Sequence, residues 1–132
     1  MPSIFSKIIA GNIPSYKVAE SEKCFAFLDV NPLAKGHVLV VPKKEVDYIF
    51  DVEDELYLEL MAFAKKVGKA VKTVVPCKRI GVTVIGLEVP HAHVHLIPMN
   101  SIDDMNFEKP KLSLSKDEFV ELAEKISAAM ES

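Results

Sequence analysis

Three of the four histidines of this chain fall within five residues, in the run His91-Ala92-His93-Val94-His95. Successive side chains of a β-strand point to opposite faces of the sheet, so an extended run would place the three imidazoles on one face, roughly 6–7 Å apart along the strand. The apolar residues between them would face the core. Prolines bracket the run and argue against a helix. We therefore predict a strand over 89–98 that presents three imidazoles to a cleft or to solvent.

Three aligned imidazoles are suited to two kinds of chemistry. Imidazole binds zinc, and its ordinary pKa of about 6.5 also lets it act as a nucleophile and proton carrier. Buried imidazoles without partners would each incur a desolvation cost, which disfavours a purely structural role. The fourth histidine, His37, begins another predicted strand eight residues after Asp29, a carboxylate able to accept hydrogen bonds from a ribose. Nucleotide chemistry is favoured, and a His-ligated metal protein stays open as an alternative.

The order of the helices and strands predicted around these residues indicates an α+β fold with a mainly antiparallel sheet. Apolar residues at helical spacing indicate a long central helix that Asp51 can cap, and a capping box at Ser115-Lys116-Asp117-Glu118 indicates a C-terminal helix to about Met130. Shorter predicted elements are a helix over 4–10 and strands over 16–19, 24–28, 37–42, within 79–88 and over 89–98.

Composition limits the possible partners and the compartment. The 132 residues have a formal charge of −3 and no basic stripe, which argues against binding to nucleic acid. No apolar run approaches the roughly 20 residues of a membrane span, and the N-terminus lacks the features of a secretion signal. The two cysteines form no Cys-x-x-Cys pair. We expect a single domain over 1–132, in the cytoplasm, without membrane contact.

Several segments together resemble the histidine triad (HIT) family of nucleotide hydrolases and transferases. Residues His91 to Ile97 fit the signature His-φ-His-φ-His-φ-φ, in which φ is apolar, at every position. The resemblance spans about residues 3–98 and includes the segments 4–9, 13–14, 24–32 and 36–43. It implies the HIT fold, and for chains of this length a homodimer to which the long helix and the sheet contribute.

The resemblance also implies a mechanism and a set of site residues. The chain would cleave at the α-phosphate of nucleoside phosphoramidates, adenylated conjugates or dinucleoside polyphosphates, through a nucleotide covalently attached to His93. His95 would donate to phosphate oxygens, while His91 and His37 would support this arrangement. A purine nucleotide or conjugate is the expected ligand. The residues implied to bind it are the wall residues Phe5, Ile8, Phe27 and Val30, and Asp29 for the ribose hydroxyls.

Two departures from the family pattern affect these expectations. Many members carry Gln and then Ser or Thr just before the triad, whereas this chain has Gly86-Leu87-Glu88-Val89-Pro90. Leu87 cannot donate a hydrogen bond, so a nucleotide-binding module with little catalysis is an alternative. Glu88 is a candidate leaving-group contact, and if protonated it could act as an acid. Ser3 and Ser6 replace the Cys-x-x-Cys of zinc-binding members, so we predict no metal and no cofactor.

Overall fold

The computed structural model describes residues 2–130, so the predicted span 1–132 includes residues 1, 131 and 132 that lie outside the described part. The fold is α+β with a mainly antiparallel sheet, a long central helix and a C-terminal helix, as predicted. Its elements are α1 (Ile4–Ile9), β1 (Lys17–Glu20), β2 (Cys24–Leu28), β3 (Val38–Pro42), α2 (Asp54–Val74), β4 (Arg79–Thr83), β5 (Val94–Met99) and α3 (Lys116–Ala129), with short 3₁₀ turns at Ile49–Asp51 and Ile102–Met105.

The five strands form one antiparallel sheet in the order β1-β2-β3-β5-β4. Alternate residues of β2 and β3 lie on opposite faces, and both faces of these strands are buried. One face packs against α2 and α3 through residues such as Ala26, Val40 and Val94. The opposite face carries an aromatic cluster with α1, including Phe5 and Phe27. Because the two long helices cover a single face, the other face has room for a cleft.

The predicted strand over 89–98 is wrong in its first half, since β5 begins at Val94. The N–H of Ala92 donates to the carbonyl of Val46, outside the sheet, and the N–H of His91 donates to Val89 in a tight turn. Pro90 has no N–H to contribute to a sheet ladder. These bonds bend the chain just before it pairs with β3.

The helix cap predicted at Asp51 is also wrong. Asp51 ends a 3₁₀ turn, and Glu53 occupies the N-cap position of α2 without a side-chain cap bond. The capping box at Ser115 is present as predicted, with Ser115 and Glu118 bonded to each other's backbone N–H. In the described part of the chain, no helix combines the length and the apolar character needed to cross a membrane.

Gly36 sets the entry to β3 and so places His37. Its φ of +97° belongs to the region that favours glycine, and a Cβ there would lie 2.8 Å from Val75 Cγ2. A side chain at this position would therefore be strained and would also press against the end of α2. The turn ends with the N–H of His37 bonded to the carbonyl of Ala34.

Candidate active site

The rings of the three clustered histidines lie on the same side of the chain, although only His95 belongs to a strand. The centroids of the His93 and His95 rings are 4.9 Å apart, and Phe5 packs edge-on against His93 at 4.9 Å and against His91 at 5.8 Å. Ala92 points the other way, into a cluster at the start of α2. All three histidines are buried, with side-chain environments that fix their orientation.

Hydrogen bonds define where His93 carries its proton. His93 Nδ1 lies 2.8 Å from the carbonyl oxygen of His91. A carbonyl can only accept, so Nδ1 holds the hydrogen and the neutral ring has its free lone pair at Nε2. A neutral imidazole held in this tautomer by a main-chain acceptor has the form needed for a nucleophile.

The same reasoning fixes the tautomers of His37 and His95. The backbone N–H of Leu33 donates to His37 Nδ1 at 3.1 Å, so the hydrogen of His37 is on Nε2. His37 Nε2 lies 3.0 Å from His95 Nδ1 and donates to it. The remaining nitrogen of His95, Nε2, therefore carries a hydrogen. His93 and His95 thus place a lone pair and a hydrogen-bond donor side by side.

Burial favours the neutral forms of His37, His91 and His95. Desolvation, reinforced for both by neighbouring histidines and for His37 also by Lys111, lowers the pKa of His37 to about 3 and that of His95 to about 4. Desolvation also lowers the pKa of His91, although its bond to Pro42 acts in the opposite direction. Desolvation raises the pKa of the Asp29 carboxyl, against the effect of its bond from the Asn31 N–H. At neutral pH the imidazoles of His37, His91 and His95 are therefore uncharged and act through hydrogen bonds and lone pairs.

Acid should destabilise this site before the carboxylates titrate. Below pH 6.5 the unfolded chain binds protons at His37 and His95 while the folded protein does not, so stability increases with pH through this window. Lowering the pH from 7 to 5 should reduce the free energy of unfolding by about 2 kcal/mol for each of these two histidines, because both of their folded pKa values lie below 5. The raised pKa of Asp29 offsets part of the loss. Urea titrations at several pH values measure it, and a His37→Leu variant with an equally steep pH dependence would contradict the assignment.

His93 and His95 border a cleft made of two adjoining cavities, which share these two residues with Asp29, Asn31 and Glu88. The prediction that all three clustered imidazoles face a cleft or solvent is wrong for His91, which is fully buried and lines neither cavity. The first, the apolar lobe, has a volume of about 310 Å³. All five predicted nucleotide-binding residues line it: Phe5, Ile8, Phe27, Asp29 and Val30. Phe5 and Phe27 are buried and in edge contact, whereas Val30 is 56% exposed. Sequence reasoning missed Ile4 and Val89, which line the same lobe.

The second cavity, the charged lobe, has a volume of about 490 Å³ and includes His37. Three of its residues come from the segment after β5 and were not predicted: Phe107, Glu108 and Lys111. The Phe107 ring lies 4.8 Å from the His95 ring. No local pattern marks this segment, because a distant contact brings it to the site: the Leu112 N–H donates to the Pro32 carbonyl at 2.8 Å.

The hydrogen bonds fit poorly with a metal held by the three clustered histidines. Both His91 nitrogens are engaged, Nδ1 with Ser3 Oγ and Nε2 with the Pro42 carbonyl. Within residues 2–130, the one group of three ligand atoms close enough to share a metal is instead Asp29, His37 and His95. A metal on His37 Nε2 would require the hydrogen on Nδ1, where the Leu33 N–H already donates. The donor chemistry therefore does not suit a cation.

The fold and cleft define a class of small α+β proteins in which two neighbouring imidazoles border a cleft of two lobes. One imidazole carries its hydrogen on Nδ1 and the other carries it on Nε2. Residues 10–102 match the HIT domain family. The chain belongs to the histidine triad family.

Similar proteins cover nearly the whole chain. An uncharacterized HIT-like protein of Borreliella burgdorferi is 36% identical over 94% of this chain and 95% of its own. The adenosine 5′-monophosphoramidase of Schizosaccharomyces pombe is 34% identical over 97% of this chain and 98% of its own. The crystal structure of a Hit-like protein involved in cell-cycle regulation from Bartonella henselae is 32% identical and has a TM-score of 0.83, covering 96% of this chain and 95% of its own.

Proposed function

We propose that the protein is a nucleotide hydrolase or transferase that cleaves at the α-phosphate through a nucleotide covalently attached to His93, and that nucleoside phosphoramidates are its preferred substrates. Family membership and the monophosphoramidase relative support nucleotide hydrolase or transferase chemistry. The observation that carries the proposal is the 2.8 Å bond from His93 Nδ1 to the His91 carbonyl, which leaves the Nε2 lone pair free beside the Nε2–H of His95.

The proposed reaction has two steps. His93 Nε2 attacks the α-phosphorus, the bond from phosphorus to the leaving nitrogen breaks, and the amine departs after taking a proton from water. His95 donates to a phosphate oxygen as negative charge develops, and the His91 carbonyl accepts from the ring that becomes positive. Water then attacks phosphorus and loses a proton that neutralises the hydroxide left by the first step. The bond from phosphorus to Nε2 breaks, its electron pair returns to His93, and the nucleoside monophosphate leaves.

The apolar lobe would bind the nucleoside part of the substrate. Phe5, Ile8 and Phe27 offer flat and aliphatic surfaces to a purine base. Asp29 accepts from the Asn31 N–H through Oδ1, so its Oδ2 remains for the ribose hydroxyls. His37 directs its hydrogen to His95, and its Nε2 lies 3.6 Å from this Oδ2, beyond hydrogen-bond distance.

The charge of the cleft favours an amine over a polyphosphate as leaving group. The charged lobe contains three carboxylates, of Asp29, Glu88 and Glu108, against the single ammonium of Lys111. The Lys111 Nζ already donates to two main-chain carbonyls. A second phosphate chain entering this lobe would be repelled, whereas an amine would not.

Neutralising the carboxylates should change this preference. We expect the double variant Glu88→Gln/Glu108→Gln to raise kcat/KM for diadenosine tetraphosphate relative to an adenosine phosphoramidate by roughly three- to tenfold at low salt, and less at high salt. Glu22→Gln removes an exposed carboxylate that lines neither lobe and should leave the ratio unchanged. An unaltered ratio in the double variant would count against the charge argument.

The function itself is tested with a fluorogenic adenosine phosphoramidate. The enzyme is mixed with substrate, quenched in alkali, which preserves the phosphorus–nitrogen bond, and digested for mass spectrometry. A nucleotide mass on the peptide that contains His93 supports the proposal. Turnover without this adduct in rapid-quench samples would contradict the covalent route.

One observation favours a second candidate, a nucleotide-binding module with little catalysis. Leu87 is 87% exposed at the charged lobe and offers no donor to a leaving group. Such a protein would bind adenosine monophosphate and show no difference in turnover between the parent and His93→Ala.

We further propose that residues 1–132 form one cytoplasmic HIT domain that assembles as a homodimer. The edge strand β4 has a single neighbour in the described sheet, and its Val82 is 54% exposed. An apolar groove of about 330 Å³ lies between this strand and α2, lined by Met61, Ile80 and Val82 among others. A second copy pairing at this edge would cover both features, and sedimentation velocity measures the resulting mass.

A further inference from the structure

An exposed carboxylate beyond the end of β3 holds the start of the chain. Glu45 Oε1 accepts from the Ser3 backbone N–H at 2.6 Å and from the Ser6 hydroxyl at 2.7 Å, across 42 and 39 residues of sequence. These bonds lower the pKa of the Glu45 carboxyl, so the carboxylate form is the one bound. Glu45 lines neither lobe of the cleft.

Ser3 connects this carboxylate to the first histidine of the triad. His91 Nε2 lies 2.7 Å from the Pro42 carbonyl, which fixes the hydrogen on Nε2 and leaves Nδ1 as an acceptor. Ser3 Oγ lies 2.8 Å from that Nδ1 and therefore donates its hydrogen to His91. Oγ also accepts from the Ser6 N–H at 3.0 Å. Ser3 is 5% exposed and His91 is fully buried, so water cannot replace these bonds.

The hydrogen bonds that fix His91 also affect His93, the proposed nucleophile. The His91 carbonyl is the group that accepts from His93 Nδ1 and keeps the His93 lone pair on Nε2. A displaced His91 ring would move this carbonyl, since the chain turns sharply between Val89 and Ala92. We propose that Glu45 and Ser3 are positioning residues whose hydrogen bonds to α1 and to His91 hold His93 in its reactive tautomer and orientation. The inference rests on the proposed function of His93 as nucleophile.

A purely structural role predicts something different. Ser3 and Glu45 also anchor α1, which carries Phe5 to the wall of the apolar lobe. If anchoring α1 were their whole effect, their loss would weaken nucleotide binding and leave the state of His93 unchanged. The two roles are therefore separated by kcat against nucleotide affinity, and by the tautomer of His93.

The test compares variants with and without the hydroxyl and the carboxylate. For Ser3→Ala we expect kcat for the adenosine phosphoramidate to fall about tenfold, with the dissociation constant for adenosine monophosphate within twofold of the parent, because a buried acceptor loses its donor. Ser3→Thr keeps a hydroxyl and should recover most of the rate. Glu45→Ala should lower kcat about threefold, and Glu45→Gln, which keeps an acceptor oxygen, less.

Nitrogen-15 NMR of the free protein provides a readout independent of any substrate. The parent should show His93 protonated at Nδ1, and Ser3→Ala and Glu45→Ala should show a mixture of both tautomers. Asp47→Ala, which removes an exposed carboxylate two residues away, is the matched control and should match the parent in tautomer and rate. If Ser3→Ala fails to fold, Glu45→Ala at its exposed position decides.

An unchanged His93 tautomer in the folded variants would overturn the inference, as would weaker nucleotide binding with an unaltered kcat. Failure of the proposed function would give a different result, because the parent protein itself would then form no covalent adduct. The NMR comparison would still decide whether the hydrogen bonds of Glu45 and Ser3 hold the His93 ring.

Discussion

Replacing His93 with alanine is expected to lower kcat for an adenosine phosphoramidate by on the order of 10⁴-fold or more, because the covalent route disappears with the Nε2 lone pair. The remaining reaction would need water to attack phosphorus directly, with His95 as the surviving donor. Steady-state assays, together with the alkaline-quench experiment, measure the loss and the absence of the adduct.

The control for this variant is nucleotide binding. His93 lines the apolar lobe, yet the base and ribose contact Phe5, Phe27 and Asp29 in our proposal. Affinity for adenosine monophosphate should therefore change by less than about tenfold, measured by calorimetry. A His93→Ala protein with parental turnover would support the binding-module alternative and refute the covalent mechanism.

Replacing His37 with leucine should have the second largest effect, a fall in kcat of roughly 10²- to 10³-fold. In the proposed mechanism His37 acts through His95: its Nε2–H donates to His95 Nδ1 at 3.0 Å and so keeps the His95 hydrogen on Nε2. Without that donor the His95 proton can move to Nδ1, and the group facing phosphate becomes an acceptor that repels its oxygens.

His37→Gln is the matched variant for this prediction. An amide has both an acceptor for the Leu33 N–H and a donor for His95 Nδ1, so it can replace both bonds of the imidazole. We expect its kcat to lie well above that of His37→Leu, with similar nucleotide affinity for both. Equal rates for the two variants would show that His37 acts through packing and not through its hydrogen bonds.

Local sequence patterns were sufficient to predict those elements that are stabilised by residues close together in the chain. The apolar repeat of α2 follows from residues three and four apart, and the capping box at Ser115 involves neighbours along the chain. The predicted clustering of the His93 and His95 rings is present, although a turn precedes β5 where alternation predicts a continuous strand.

Features that depend on distant partners could not be predicted from one sequence. The bend before β5 requires the Val46 carbonyl, and the end of the charged lobe requires the Pro32 carbonyl to hold the segment of Leu112. Glu45 gave no signal either, since its partners lie some forty residues earlier in the chain. In each case a main-chain or side-chain group meets a partner that periodicity does not reveal.

The Leu33 N–H donates a hydrogen bond to the imidazole cluster, and the Pro42 and His91 carbonyls accept hydrogen bonds from it. These main-chain bonds affect which side-chain substitutions the fold can tolerate. Each proton location in the imidazole cluster depends on at least one of these peptide groups, directly or through a neighbouring ring. Exchange of the side chains at positions such as 87, 88 or 108 leaves peptide groups in place. If the proposed function holds, selectivity for the leaving group can therefore diverge among descendants of this chain, or be redesigned, while the proton positions of the imidazole cluster stay the same.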